Sequence, residues 1–486
     1  MRQMTEHFDV VIVGAGLSGI GAAHHLQVHC PKKAFLIVEG RKALGGTWDL
    51  FRYPGIRSDS DMQTMGFSFR PWTEEKAIAE GATILNYLKE TAEEYGIDRH
   101  IRYNHRVVQV RWASEQARWT LEMESGPSRE RTTCTCSFLF MCTGYYNYDK
   151  GHMPEFPGAD RFRGRIVHPQ LWPTDLDYAG KEVVIIGSGA TAVTLVPSMA
   201  KTAAHVTMLQ RSPSYIFARP GTDPFVVGLK RYLPEKLTSR LARWKNIVLG
   251  MYFYRLSRTK PEKISALLIG GAQKHLGGNY DVATHFTPKY KPWDQRLCFA
   301  PDGDLFKTIR EGNATIVTDS IESFTEEGIK LTSGKELPAD LIVTATGLML
   351  QLISGVEIYV DDSRVELSKA FNYKGTMFSG IPNFALTIGY TNASWTLKAE
   401  LSSLYVCRLL NYMDRHGWRS AVPHLKEGSA GEQPMINLTS GYVQRAIEQL
   451  PKQGVKQPWT LHQNYPRDLM ALRYGKVNDG AIRFAR

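Results

Sequence analysis

Two stretches of the chain repeat one order of apolar, small and polar positions. In each, an apolar run of strand length leads into a glycine-rich turn, a helix of small residues, and a second apolar run ending on a polar side chain. The first is Asp9-Val-Val-Ile-Val-Gly14-Ala-Gly16-Leu-Ser-Gly19, with a helix expected to about Gln27 and a strand over Phe35–Glu39. The second is Glu182-Val-Val-Ile-Ile-Gly187-Ser-Gly189-Ala-Thr-Ala192, with a helix to about Lys201 and a strand over His205–Gln210. Strands that alternate with helices in this way build parallel sheets, so two nucleotide-binding halves are expected.

Elsewhere the pattern is sparser. Short apolar runs at Phe138–Thr143 before Gly144 and at Leu341–Thr346 before Gly347 end in similar turns, as strands do where a chain crosses between dinucleotide domains. Residues 211–294 carry helical periodicity, with Leu233, Leu237, Leu241 and Trp244 at helical spacing and Pro234 and Pro261 as punctuation. That stretch predicts a helical insertion on the second nucleotide domain. A strand Phe384–Ile388 precedes a helix from about Ser394 to Met413, with Asn392 or Ser394 as N-cap. The last 70 or so residues are rich in Pro, Gly and Gln and give no periodic signal. The expected architecture is α/β, with two doubly wound Rossmann-like domains and a helical insertion. A discontinuous first domain takes residues 1–149 and 348–486, the second takes 150–215 and 295–347, and the insertion takes 216–294.

Composition narrows the class. At 486 residues, 43% hydrophobic and 22% charged, the chain is a folded protein of several domains. Its apolar runs are too short to cross a bilayer, and Val10–Val13 begins too near Met1 for a cleavable leader, so a cytoplasmic protein is expected. Six cysteines without C-x-x-C or Cys/His spacing predict reduced core thiols and no metal. Of the net charge of +11, a local +9 lies between Lys230 and His275, where eleven Lys or Arg face Glu235 and Glu262. Mixed with Trp244, Tyr252, Phe253 and Tyr254, these predict an amphipathic surface helix and an accessory peripheral membrane contact. No nucleic-acid-binding module accompanies the charge, so nucleic acid is not an expected partner.

The turns carry the chemistry. Gly14 permits the tight turn, Gly16 lets the backbone approach a pyrophosphate, and Gly19 lets the helix pack on its strand. Glu39 can accept hydrogen bonds from ribose hydroxyls and would repel a 2′-phosphate, so the first site suits FAD or NAD. The turn Gly45-Gly46-Thr47-Trp48 offers backbone amides on the flavin side, which favours FAD. In the second unit Gly187, Gly189 and Ala192 preserve the same packing, and the following strand ends in Gln210-Arg211-Ser212. A guanidinium and a hydroxyl suit a 2′-phosphate, so NADPH is expected there. One FAD and one NADPH site imply hydride transfer to flavin. Cys134 and Cys136 share one face of a strand with Cα atoms about 7 Å apart, poor geometry for a redox disulfide, which leaves oxygen as the electron acceptor.

A longer signature precedes the second strand: Phe162-Arg-Gly164-Arg-Ile-Val-His168-Pro-Gln-Leu-Trp172-Pro173. It matches the F-x-G-x-x-x-H-x-x-x-W-P pattern of the Baeyer-Villiger monooxygenases, whereas ordinary flavin-containing monooxygenases usually end it with an aromatic and a basic residue. With Arg52-Tyr-Pro-Gly-Ile-Arg-Ser-Asp59, Lys291-Pro-Trp-Asp-Gln-Arg296 and Thr391-Asn392-Ala-Ser-Trp395-Thr-Leu-Lys398, the chain resembles that family from about Thr5 almost to Arg486. The resemblance implies that NADPH reduces FAD and that the reduced flavin captures oxygen as a 4a-peroxide. That peroxide attacks a ketone to give an ester or lactone, and sulfides and thioamides are S-oxygenated. The family's catalytic arginine aligns with Arg296, and Asp59 with the acidic residue that orients it. Many members carry lysine before that arginine where this chain has Gln295, so NADPH preference here rests mainly on Arg211.

Each position has a second reading. Arg296 could be one more basic residue of the insertion, and Asp59 a turn former. His168 fits structural positioning better than proton transfer, and Trp172 fits packing. Asn392 and Trp395 could place a helix N-terminus near the flavin pyrimidine or simply cap and fill a core. An N- or S-oxygenating flavin monooxygenase without ketone activity is the rival within the fold; a basic membrane-surface binder is the rival outside it.

Overall fold

The computed structural model describes residues 5–426 and 431–486. Its first sheet is centred on His7–Val13, whose residues Val10, Val11 and Ile12 are wholly buried, as expected for a parallel strand covered on both faces. That strand pairs in parallel with Phe35–Val38 on one side and Glu130–Met141 on the other. Ile101–Arg102 extends the sheet past Phe35–Val38. Phe384–Leu386 joins Glu130–Met141 in parallel, which brings a segment almost 250 residues later into the same sheet. Strands His105–Ala113 and Arg118–Ser125 continue from Glu130–Met141 as an antiparallel meander. Helix Trp395–His416 packs along helix Leu17–His29, and the buried residues of this core come from both ends of the chain.

The second sheet has five strands, all parallel, in the order Ala314–Thr318, His205–Gln210, Glu182–Ile186, Leu341–Thr344, Arg165–Val167. Both sheets thus show the expected doubly wound α/β arrangement. Helices Leu17–His29 and Ala190–Met199 follow the two glycine turns, within two residues of where the sequence places their ends.

The insertion is helical but does not begin so. Ile216–Arg219 pairs in parallel with Cys298–Pro301, and this two-stranded ribbon joins the insertion to the rest of the chain. Between them lie helices Pro224–Lys230, Glu235–Thr259, Pro261–Leu276 and Val282–His285. Pro261 breaks the long run as expected, and Leu233 falls ahead of the helix that carries Leu237, Leu241 and Trp244. Ala272 and Leu276 sit in the core of the second sheet, but Ile247 packs against Tyr390 and Leu397 from the C-terminal part of the chain. The insertion therefore packs on the C-terminal part of the chain as well as on the core of the second sheet.

Ser394 occupies the N-cap position of helix Trp395–His416, yet its hydroxyl lies 2.6 Å from the Thr64 hydroxyl and no side chain caps the helix. Neither Asn392 nor Ser394 acts as the cap, because both side chains find partners outside the helix.

Candidate functional site

The first glycine turn has no room for side chains at Gly14 and Gly19. Gly14 has φ +106°, and a Cβ there would lie 2.6 Å from the Cys142 carbonyl oxygen; a Cβ at Gly19 would strike the Gly14 carbonyl. Gly46, at φ +55°, approaches Gly16 from the second turn, so the two glycine loops form one backbone cradle. Thr47 and Trp48, both half-buried, open the short helix Thr47–Leu50 above it. No side chain caps helix Leu17–His29, whose first N–H groups are left for an anion. Beside the cradle is a cleft of about 170 Å³ lined by Gly14, Gly16, Glu39, Arg41, His105 and Tyr148, among others.

Glu39 accepts hydrogen bonds from the Ala15 and Arg41 backbone N–H groups at 2.8 and 2.9 Å. Burial raises its pKa in spite of these bonds. The carboxylate is thereby aimed along the cleft wall, where ribose hydroxyls can donate to its remaining lone pairs. Arg41, His105, Arg106 and Tyr148 belong to no motif and escape sequence reasoning. Of these, Tyr148 alone had a signal, since it follows the apolar run that ends at Thr143.

At the second turn Gly187 has φ +133° and a Cβ would lie 2.4 Å from the Ala345 carbonyl oxygen. Gly189 faces open space, with nothing within 4 Å of a Cβ, and Ala192 is fully buried where the helix meets its sheet. Gln210 is anchored inward, donating to the His285 carbonyl and Thr318 hydroxyl at 2.9 Å each. Arg211 and Ser212, next along, are exposed at the strand's end. The Ser212 carbonyl accepts from the Ser188 hydroxyl at 2.9 Å, which fixes this loop on the glycine turn.

Arg296 and Asp59, 237 positions apart in sequence, meet at 2.9 Å. The Asp59 carboxylate is the main reason that Arg296 is held more firmly in its charged form than a free guanidinium; desolvation works against it. Tyr145, Tyr146 and Tyr442 stand close enough to act on that charge. Burial pushes the Tyr146 phenol well up, and the Tyr442 phenol likewise, so both stay neutral hydroxyls. Cys298 beside them is pushed up to about 12, chiefly by burial, and is an inert thiol. None of the three tyrosines was singled out from sequence. Tyr145 and Tyr146 directly follow the Thr143-Gly144 turn, the one clue available; Tyr442 lies in the stretch without periodic signal.

Trp395 joins this cluster to the first glycine turn. Its indole N–H donates to the Ser18 hydroxyl at 2.8 Å, and its ring stacks on Tyr145 with centroids 5.0 Å apart. Asn392 is turned aside, donating to the Gln463 carbonyl at 3.0 Å. Asp59 itself is carried by the segment that threads onto the second domain. Phe51 and Tyr53 are buried in that domain's core, and Arg57 pairs with Asp304 at the start of helix Asp304–Arg310.

The long signature maps onto the edge strand Arg165–Val167 and its flanks. Phe162 is buried against Phe324, and a Cβ at Gly164 would lie 2.5 Å from the Asp340 carbonyl oxygen. The Gln170 N–H donates to His168 Nδ1 at 3.1 Å, so in the neutral ring Nε2 carries the proton and donates to the Gly347 carbonyl at 3.2 Å. Burial lowers the His168 pKa, which keeps the ring neutral. The ring also abuts Gly151, so His168 ties together both crossings between the domains. Trp172 is half-buried, edge-on to Tyr178. All six cysteines are free and buried, and no cluster of metal-ligating side chains occurs among the described residues.

A profile of the flavin-binding monooxygenase-like (FMO-like) family matches residues 8–388. The FAD-containing monooxygenase EthA of Mycobacterium tuberculosis is 54% identical over 484 residues, 99% of each chain. An oxidized steroid monooxygenase bound to NADP superposes with a TM-score of 0.78 at 21% identity, covering 99% of this chain and 100% of that one. An open cyclohexanone monooxygenase structure gives 0.76 at 19%, with the same coverage, and at such identities the likeness is one of fold. With both glycine turns inside the matched span and one relative similar from end to end, the chain belongs to the flavin-binding monooxygenase-like family of enzymes.

Proposed function

We propose that the protein is an FAD- and NADPH-dependent monooxygenase of the Baeyer-Villiger kind. It inserts one oxygen atom of O2 into small-molecule ketones, giving esters or lactones, and S-oxygenates sulfides or thioamides. The observation that carries this reading is the Arg296–Asp59 pair. It sets a permanent cation beside the Trp395–Tyr145 stack that leads to the first glycine turn.

The residues fit both cofactors. Gly14, Gly16, Gly19 and Gly46 would leave backbone for a dinucleotide pyrophosphate, Glu39 would accept from its ribose, and Thr47 and Trp48 would lie on the flavin side. Gly187, Gly189 and Ala192 offer the second phosphate cradle, with Arg211 and Ser212 placed for a 2′-phosphate. Bound together, the two supply hydride reduction of flavin and activation of dioxygen. Arg296 stabilises negative charge on oxygen as it develops, and Asp59 orients the guanidinium. His168, neutral and bonded to Gly347, couples the domains rather than moving a proton, and Trp172 packs. The uncapped N-terminus of helix Trp395–His416 would present N–H groups to a bound flavin pyrimidine, with Trp395 beside it and Asn392 held aside by its bond to Gln463. The FAD portion is residues 1–149 and 348–486, and the NADP portion 150–215 and 295–347.

The test is anaerobic reduction of the purified yellow protein by NADPH, then aeration in labelled dioxygen with a simple ketone and, in a parallel sample, with a simple thioether, and mass analysis of the products. Ester carrying one labelled oxygen is expected. A colourless protein that does not take up flavin, or hydrogen peroxide with no oxygenated ketone, would overturn the reading; sulfoxide without ester would assign the rival S-oxygenating chemistry.

A further inference from the structure

We infer that the outer face of helix Glu235–Thr259 is a docking surface for an anionic lipid bilayer. Leu237, Leu241, Trp244, Val248 and Tyr252 follow one another at steps of three or four, so they lie on one face of the helix, and they are 42–60% exposed. The stripe runs along roughly 22 Å of helix. It is not a core face left unfilled, because another side of the helix makes the contacts with the protein. There Ile247 packs against Tyr390 and Leu397, Asn246 donates to Asp61, and Arg243 bonds the Gly66 carbonyl and Glu400.

Charge selects the occupant. Among the described residues, this helix makes ion pairs through Arg243, Lys245 and Arg258, which leaves Lys236, Arg240 and Arg255 facing solvent. Arg255 continues the apolar stripe one turn beyond Tyr252, and Arg240 borders it. A second copy of the chain meeting this face about a two-fold axis would set the local +9 of Lys230–His275 against itself. Lipid phosphates instead neutralise the rim while the stripe enters the headgroup boundary. The contact is peripheral, since no helix among the described residues is long and apolar enough to cross a membrane.

Vesicle flotation of the full-length flavoprotein tests this, with phosphatidylglycerol/phosphatidylcholine vesicles compared against phosphatidylcholine alone at low and high salt. Binding to the anionic vesicles at low salt, weakened at high salt, is expected. The double variant Leu241→Glu/Val248→Glu should no longer float, and Arg240→Gln/Arg255→Gln should bind about 25-fold more weakly, both with unchanged flavin content and NADPH oxidation. Trp244 fluorescence, read by difference against Trp244→Phe, should shift to the blue on binding. Absence of binding at low salt overturns the inference, and so does equal binding by the Leu241→Glu/Val248→Glu variant. A dimer that this variant splits, without vesicle binding, would make the occupant a second copy and also overturn it.

Discussion

Replacing Arg296 with alanine removes the fixed cation while leaving the glycine turns and the Trp395–Ser18 bond in place. The Arg296–Asp59 contact is 2.9 Å between N and O, with side chains 31% and 47% exposed. Charge centres about 4 Å apart attract by about 4 kcal/mol at an effective dielectric of ~20. Solvent screening at that exposure lowers the net value to about 1 kcal/mol. The pair is thus too weak to matter for stability, and its worth lies in where it holds the guanidinium. A preorganised donor aimed at a developing oxyanion is worth about 10²–10³ in rate. Arg296→Ala should therefore lower ester formation by about 10²–10³ with flavin reduction by NADPH preserved, and Asp59→Asn should lower it by only about fivefold. Because Asp59 acts through Arg296, the double variant should be no slower than Arg296→Ala. The assay pairs anaerobic stopped-flow reduction with quantified ester after aeration. Ester formation within about tenfold of wild type in fully flavinylated Arg296→Ala, or a double variant whose losses multiply, would refute the reasoning.

Gly14→Ala forces a side chain into positive φ and onto the Cys142 carbonyl, so the protein should lose flavin and at least about 2 kcal/mol of stability by thermal melting. Gly189→Ala meets open space and should keep both flavin and melting temperature while raising the KM for NADPH. Arg211→Ala should raise the KM for NADPH by about tenfold or more and leave that for NADH nearly unchanged, as steady-state kinetics would show. Burial lowers His24 to about 4 and His25 to about 3 from an ordinary 6.5. The unfolded chain then binds more protons in that window, so stability should fall as pH drops from 6.5 toward 4. His25→Leu should flatten that acid limb in melts followed against pH.

The two Rossmann-like units were legible because a tight turn and a close helix leave only glycine and alanine as candidates. Gly14, Gly19, Gly187 and Ala192 fill positions where a larger side chain meets backbone or packed sheet. Periodicity also located the helices of the insertion. It could not say which face of Glu235–Thr259 turns inward, because apolar residues at helical spacing look the same whether they meet a core or water. Asn392 shows the converse limit: a residue placed by a motif has its amide spent on Gln463.

By itself the sequence determined two dinucleotide turns, the acidic and basic strand ends that follow them, and the reduced thiols of a chain without metal spacing, all of which are local matters of backbone sterics and residue chemistry. Only the tertiary structure decided that Tyr145, Tyr146 and Tyr442 gather about Arg296, that Asp59 reaches it, and that His168 bridges both crossings. Those contacts join residues tens to hundreds of positions apart, and their distances depend on how two sheets and an insertion pack, which no local pattern encodes.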